Sequence, residues 1–312
     1  MSFSGDVKEE LSRHIPRSRH CALAEIAAAV ALSGELTEDG DGYGICLRTE
    51  NTAVARKYFT LLKKTFNINT DISVRETEYP RKSRVCELFV TDKDKSLEIL
   101  RSLKLLDADD RLSDEKMPVN GLLIQKTCCR RAFIRGAFLA AGSVSDPEKS
   151  YHFEIVCDRA DRAQELMTVI NGFELESKVI RRKNSYVVYI KESAQIVEVL
   201  NVMEAHVALM ELENVRILKS MRNSVNRKVN CETANLNKVV SAAVKQTDDI
   251  RLIDERMGID NLPEGLAAVA RLRLENPELP LKELGEMLDP PVGKSGVNHR
   301  LRKISEIADS YR

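Results

Sequence analysis

Phe133-Ile134-Arg135-Gly136-Ala137-Phe138-Leu139-Ala140-Ala141-Gly142-Ser143-Val144 decides the reading of this chain. Nine positions before Gly142 carry only one charge, on Arg135, and apolar or small residues occupy the rest of the run. A helix apolar on nearly every side belongs inside a core rather than on a surface. It is expected over about Lys126 to Ala141, with Gly142 as its stop. A second stretch has the same character: Leu23 followed by A-E-I-A-A-A-V-A-L-S-G-E-L, which runs to Leu36. This helix is expected over about Cys21 to Leu36, and Gly34 can end it. Gly34 and Gly142 lie 108 positions apart.

The flanks repeat at nearly the same spacing. After the first helix, Asp39-Gly40-Asp41-Gly42 is a turn signal. A strand over Tyr43 to Thr49 and a helix over Thr52 to Phe66 follow. Two strands, Asp71 to Glu78 and Arg84 to Thr91, flank Pro80, and a helix over Asp94 to Leu106 closes the unit. After the second helix come an Asp146-Pro147 turn, a strand over Tyr151 to Cys157 and a helix over Arg159 to Ile170. A hairpin of Ser177 to Lys183 with Tyr186 to Lys191 and a helix over Ala194 to Met203 complete the order. One order of elements at one offset reads as an internal duplication. The unit is of αββαββα type, with its first strands, Leu36 to Glu38 and Val144 to Ser145, the shortest. Ahead of the first repeat, Ser4 or Asp6 can cap a short helix through His14.

The two apolar helices resemble the LAGLIDADG helix of homing endonucleases. In that family two such helices pack side by side on a pseudo-twofold axis. Small residues four apart allow the close approach: Gly136/Ala140 and Ala137/Ala141 in one helix, Ala27/Ala31 and Ala29/Ser33 in the other. The resemblance implies a fold and a missing chemistry. The nuclease needs an acid just before each motif glycine to hold divalent metal. Ser33 and Ala141 stand at those positions here, and neither offers a hard dication a carboxylate. Glu35 and Asp146 are near but lie past the glycines, so strand cleavage is expected to be lost. The family's sheets face DNA. Arg48, Arg75, Lys82, Arg84, Lys178, Arg181, Arg182 and Lys183 fit that surface or an ordinary solvated face equally well.

Beyond His206 strand signals vanish. Val207 to Lys228 reads as a helix, an asparagine-rich polar stretch follows, and Asn237 to Met257 is helical again. Arg216, Lys219, Arg222 and Arg227 fall in this linker, where they suit phosphate contact, solvent or docking on the N-terminal domain. Three short helices close the chain: Glu264 to Glu275, Leu281 to Leu288 and Lys294 to Ala308. At about 100° per residue, Val297, Leu301 and Ile304 share one stripe of the last helix. Ser295, His299 and Arg302 point the opposite way, flanked by Asn298 and Lys303. Gly293 to Lys303 holds four Lys/Arg (Lys294, Arg300, Arg302 and Lys303) and no acid. An apolar back with an Arg/Lys/Asn/His front suits a recognition helix in the major groove, with Lys294, Ser295, Asn298, His299, Arg300, Arg302 and Lys303 as the expected DNA-binding residues and Arg300 and Lys303 mainly on phosphate.

Composition bounds these readings. The chain has 312 residues, 43% hydrophobic and 5% aromatic, with Lys+Arg and Asp+Glu equal at 48 each. A net charge of zero leaves DNA affinity to local clusters, and few aromatics argue against base stacking on single strands. The seven cysteines, Cys21, Cys46, Cys86, Cys128, Cys129, Cys157 and Cys231, contain no C-x-x-C pair. Neither a disulfide framework nor a zinc site is expected from that spacing, and no metal or cofactor is assigned. Reduced thiols in a cytoplasm fit the count. The polar start, Met1 to Glu10, lacks a signal-peptide pattern, and no apolar run is long enough to span a bilayer.

The whole chain resembles the WhiA family of bacterial regulators. Matching pieces are Ser2-Phe3-Ser4 with Val7-Lys8-Glu9-Glu10-Leu11, Asn226-Arg227-Lys228-Val229-Asn230-Cys231-Glu232-Thr233-Ala234-Asn235, and Lys294-Ser295-Gly296-Val297-Asn298-His299-Arg300-Leu301. The expected fold class is α+β: a duplicated αββαββα LAGLIDADG-like domain over 1–205 (repeats about 20–107 and 126–205), a helical linker over 206–257, and an all-α helix-turn-helix domain over 258–312. The resemblance implies a non-enzymatic, sequence-specific transcriptional regulator of cell division and chromosome segregation, and of sporulation in spore-forming actinobacteria. Double-stranded DNA is the expected partner, with another transcription regulator or RNA polymerase as a further candidate. No membrane and no small-molecule substrate is expected, and the location is cytoplasmic, at the nucleoid. Two alternatives stay open: a protein-binding scaffold with secondary DNA binding, and a metal-dependent endonuclease that would have to work without the paired acids.

Overall fold

A computed structural model describes residues 2–39, 42–77, 83–107, 109–112 and 120–312. Gly40, Asp41, Pro80, Lys82 and the expected strand end Glu78 lie outside them. The chain divides into two compact units, Met1–Lys219 and Ser220–Arg312.

The first unit opens with helix α1 (Phe3–Arg13), capped by Ser2, whose Oγ accepts from the Gly5 amide at 3.2 Å. Neither Ser4 nor Asp6 is the cap. Ser4 Oγ instead accepts from the Val144 amide at 3.2 Å, which ties α1 to the second repeat. Helix α2 (Arg19–Ser33) then leads into β1 (Gly34–Asp39), β2 (Gly42–Thr49), α3 (Thr52–Phe66), β3 (Asp71–Thr77), β4 (Ser83–Val90) and α4 (Lys93–Ser102). A short 3-10 turn, Gly121–Ile124, precedes the second copy: α5 (Thr127–Ala141), β5 (Gly142–Val144), β6 (Phe153–Cys157), α6 (Ala160–Asn171), β7 (Lys178–Arg182), β8 (Ser185–Ile190) and α7 (Ser193–Met203). Both sheets are antiparallel and have one topology, β1-β2-β4-β3 and β5-β6-β8-β7.

Several expected boundaries move. Helix α2 stops at Ser33 rather than Leu36, because β1 begins at Gly34 and pairs with β2 over six residues. Helix α4 stops at Ser102, and Lys104 adopts a positive φ of 57° just after it. The asparagine-rich stretch is not a break: α8 runs unbroken over His206–Arg256. Asn223, Asn226, Asn230, Asn235 and Asn237 each cost a helix only a few tenths of a kcal/mol, on the order of 0.5. No Gly or Pro stands anywhere in that span.

The core of the first unit is built on the α2–α5 pair. Ala24, Ala27, Ala28, Ala29, Ala132, Ile134, Ala137 and Leu139 are all buried. At Gly136 the backbones come so close that a Cβ would sit 2.6 Å from the Glu25 carbonyl oxygen and 3.0 Å from Ala28 Cβ. Phe138 stacks on Phe153 of β6 at 5.4 Å between ring centroids. The charged groups Glu25, Lys57 and Arg135 in this interior are paired. Glu25 in α2 meets Lys57 of α3 and, at 3.3 Å, Arg135 of α5. Arg135 also reaches Glu204 at 2.6 Å, and Lys57 donates to the Leu11 carbonyl at 2.8 Å. Buried charges persist only with such partners. The first turn of α8 is capped from α1: Glu10 accepts from the Val207 and Ala208 amides at 2.8 and 3.0 Å.

In the second unit, the end of α8 packs with α9 (Glu264–Glu275), α10 (Leu281–Glu286) and α11 (Lys294–Asp309). Ile250 and Ile253 of α8 belong to one core with Ala270, Leu284, Val297, Leu301 and Ile304. Asp249, fully buried, accepts from Ser305 at 2.6 Å and pairs with Arg312 at 2.5 Å. The long helix therefore supplies one wall of the three-helix unit. Among the described residues no helix is long and apolar enough to cross a membrane.

Candidate nucleic-acid interface

Helix α11 separates its faces as its sequence predicts. Val297, Leu301, Ile304 and Ala308 are buried, while Lys294, Ser295, Asn298, His299, Arg302 and Lys303 are exposed. The turn before it is held tight against α10. The Val292 amide donates to the Gly285 carbonyl at 2.9 Å, and a Cβ on Gly285 would collide with Val292 backbone. Gly285 is thus required by close approach, at a position with ordinary helical backbone. Arg300 differs from its neighbours. It is half-buried and its Nη1 donates to the Gly265 carbonyl at 3.3 Å, which fastens α11 to the start of α9. No acid lies in the first turn of α11, so its positive N-terminal end stays open to an anion.

The linker residues divide. Lys219 donates to the Pro147 and Glu148 carbonyls at 2.7 and 2.9 Å and lies over the Tyr151 ring. Arg216 pairs with Glu213 at 2.6 Å. Of the three alternatives left open for this stretch, Lys219 takes docking on the first unit. Arg222 and Arg227 are exposed, and among the described residues neither has an ion-pair partner.

The sheet faces are closer to charge balance than the basic residues alone imply. Arg48 pairs with Glu35 at 2.6 Å and Glu87 at 3.0 Å, and Arg75 meets Glu87 at 2.8 Å. Arg182 reaches Glu154 at 3.5 Å. Lys178, Arg181 and Lys183 are exposed, and Arg84 has a partner of its own. Lys82 lies outside the described residues.

At the positions where the nuclease family carries metal-binding acids, the chemistry is different. The Ser33 hydroxyl donates back to the Ala29 carbonyl at 2.9 Å, and Ala141 has no ligand atom. The Arg162 guanidinium, paired with Asp158, donates to the Ala31 carbonyl in the last turn of α2. A guanidinium there opposes a dication. Glu35 is occupied by Arg48, and Asp146 pairs with Lys149 at 3.6 Å. A cleft of about 610 Å³ beside the end of α5 is lined by Lys8, Arg48, Glu50 and Ser143 among others.

One grouping escaped the sequence reading. His20, Cys21, Cys128 and Cys129 bring their ligand atoms within 4.8 Å of one another. Burial, with the Cys128 and Cys129 thiols beside it, pushes the Cys21 thiol up to about 12. The usual zinc spacings do not reveal such a set, because it is split into two adjacent pairs. The duplication does: His20 and Cys128, like Cys21 and Cys129, stand 108 positions apart, the offset of the two motif glycines.

Comparison with known proteins covers the whole chain. Residues 19–106 match the family description "WhiA N-terminal LAGLIDADG-like domain", residues 130–222 "WhiA LAGLIDADG-like domain", and residues 225–308 "WhiA C-terminal HTH domain". A protein of Lachnoclostridium phytofermentans named "Probable cell division protein WhiA" is 54% identical over 313 residues, covering 100% of both chains. One of the same name from Alkaliphilus oremlandii is 50% identical over 99% of this chain and 97% of its own. The crystal structure of full-length DUF199/WhiA from Thermatoga maritima is similar at a TM-score of 0.60 with 25% identity, covering 100% of this chain and 99% of that one. Domain order, sequence and fold agree from one end to the other, and the chain belongs to the WhiA family.

Proposed function

We propose that this protein is a sequence-specific, double-stranded DNA-binding transcriptional regulator acting in cell division and chromosome segregation, with no nuclease activity. In a spore-forming actinobacterium the same role extends to sporulation. The observation that carries the reading is α11, with a buried apolar back and an exposed basic front inside the segment matched as a helix-turn-helix. The names of the relatives point to cell division. In this reading residues 1–205 form the degenerate LAGLIDADG-like domain, 206–257 the helical linker and 258–312 the DNA-reading domain, at work in the cytoplasm on the nucleoid. Lys294, Ser295, Asn298, His299, Arg302 and Lys303 face DNA. Arg300 mainly holds α11 in place, and Arg222 and Arg227 rather than Arg216 and Lys219 supply any phosphate contact from the linker.

The test is fluorescence anisotropy with a site recovered by genomic selection, against a scrambled duplex, over a series of salt concentrations. Deleting residues 258–312 is expected to abolish the difference between the two duplexes. Specific binding that survives the deletion would move recognition to the sheets. Clean protein with Mg²⁺ or Mn²⁺ is expected to leave duplex DNA uncut, and cleavage abolished by Glu35→Gln or Asp146→Asn would restore the nuclease reading. A protein-binding scaffold is the second reading, favoured by exposed Val229, Leu236 and Val240 on α8. It takes another transcription regulator or RNA polymerase as partner. Leu236→Glu separates the two readings if it abolishes regulation while DNA affinity is unchanged.

A further inference from the structure

The geometry points to a structural zinc site, Cys3His, on the axis between the two repeats, formed by His20, Cys21, Cys128 and Cys129. His20 Nδ1 lies 3.2 Å from Cys129 Sγ and 3.3 Å from Cys21 Sγ, and all four ligand atoms fall within 4.8 Å of one another. Zinc–sulfur bonds of about 2.3 Å in a tetrahedron set sulfur–sulfur edges at roughly 3.8 Å. The present spacing reaches that by small side-chain rotations at helix ends. Three sulfurs and an imidazole are also the donor set that selects Zn²⁺ over the hard dications.

The two halves of the site are symmetry equivalents. Both pairs occupy the second and third positions of their helices, α2 beginning at Arg19 and α5 at Thr127. The duplication therefore builds a four-ligand set from one ancestral two-residue position. It lies at the N-terminal ends of the paired helices, a full helix length from Ser33 and Ala141, so it is not the nuclease metal site relocated.

Electrostatics favour the loaded form. Zinc with three thiolates and a neutral imidazole carries one net negative charge. It would sit against two helix N-termini, each worth about half a positive charge. Neither first turn contains an acid, and neither helix has a side-chain cap hydrogen bond. Arg19, Lys126, Arg130 and Arg131 surround the pairs in sequence. Binding exchanges three thiol protons for one ion: Zn²⁺ plus three thiols gives the tris-thiolate complex and three H⁺. All four positions are filled by protein, as in sites that hold a fold together rather than activate water. A disulfide would use two of the three sulfurs and leave the imidazole without a role. The clip fastens α2 to α5 at the end opposite the sheets' first strands, across more than a hundred residues of chain.

The experiment uses the full-length protein, purified under reducing conditions without an affinity metal. Mass spectrometry of the metal content is expected to find one zinc per chain after reconstitution with Zn²⁺ and removal of excess. Co²⁺ in its place is expected to give thiolate charge-transfer absorption in the near ultraviolet and the strong visible bands of tetrahedral cobalt. Cys128→Ser, at an exposed position, keeps the metal-free protein's circular dichroism spectrum and removes the cobalt bands and at least tenfold of the zinc affinity. Cys231→Ser, also exposed, changes neither. A strong chelator lowers the melting temperature of the wild-type protein and not that of Cys128→Ser. The proposal is overturned by protein that stays metal-free, by a six-coordinate cobalt spectrum, by zinc binding indifferent to Cys128→Ser, or by a disulfide among the three cysteines under reducing conditions.

Discussion

Arg302 and Lys303 are adjacent and both exposed, away from the buried Val297/Leu301/Ile304 stripe and on opposite sides of it. What separates them in the proposed DNA-binding role is chemistry: a guanidinium can meet a base edge with two hydrogen bonds at once. The Lys303 ammonium is a point charge that suits a phosphate. Arg302→Ala is therefore expected to cost about 1–3 kcal/mol on the preferred site and to narrow the gap to scrambled DNA. Lys303→Ala should weaken both duplexes alike and reduce the salt slope by about one. Equal loss of specificity from both variants in anisotropy titrations would reject this division of roles. Gly136 makes an independent residue-scale claim. Even a methyl group there meets backbone, the Glu25 carbonyl oxygen, which cannot rotate away. Gly136→Ala should destabilise the first unit by about 1–3 kcal/mol in urea unfolding, and a neutral result would mean that the helices do not approach as closely as described.

Among the elements, the joint between α1, α2, α3, α5 and α7 holds Glu25, Lys57 and Arg135, all buried. Lys57 and Glu25 are both inaccessible to water, so Lys57→Met leaves a buried carboxylate with Arg135 as its remaining cation. Loss of about 3 kcal/mol is expected in equilibrium unfolding. His14, at the end of α1, donates its Nε2–H to Glu204 at 3.1 Å and so joins this network. Burial, then the nearby Arg135, holds its pKa below the ordinary value, against a smaller opposing pull from Glu204. A histidine with a depressed folded-state pKa stays neutral while the unfolded chain takes up its proton. Its contribution is complete above about pH 6.5 and is lost as pH falls through the lower folded value. Unfolding curves at pH 7 and pH 5.5 should therefore converge in His14→Gln relative to wild type, and an unchanged pH dependence would show that His14 titrates normally. The repeat order of elements was legible in the sequence because each helix and strand carries its own period. The joint was not: Arg135 stood out as the one charge in the apolar run before Gly142, but nothing local names Lys57, Glu25 and Glu204 as its neighbours.

For the whole molecule, the division of the chain has a measurable consequence. Ala208 and Leu212 of α8 belong to the first unit's core, Lys219 docks on Pro147 and Glu148, and Glu10 caps the helix. A fragment ending at 219 is expected to melt cooperatively, and one ending at 205 several degrees lower, because it loses all of these contacts. Equal melting temperatures by circular dichroism would show that α8 adds nothing to that core. Two features of this protein were set by sequence alone. The duplication, with its apolar helices and glycine stops, and the two-faced α11 are both local periodic patterns, legible without any knowledge of the fold. Tertiary structure decided the rest: the engagement of Lys219 and Arg300 with carbonyls, the charge balance of the sheets and the convergence of His20, Cys21, Cys128 and Cys129. Each of these depends on residues far apart in the chain, and no window of sequence contains both partners of a long-range contact.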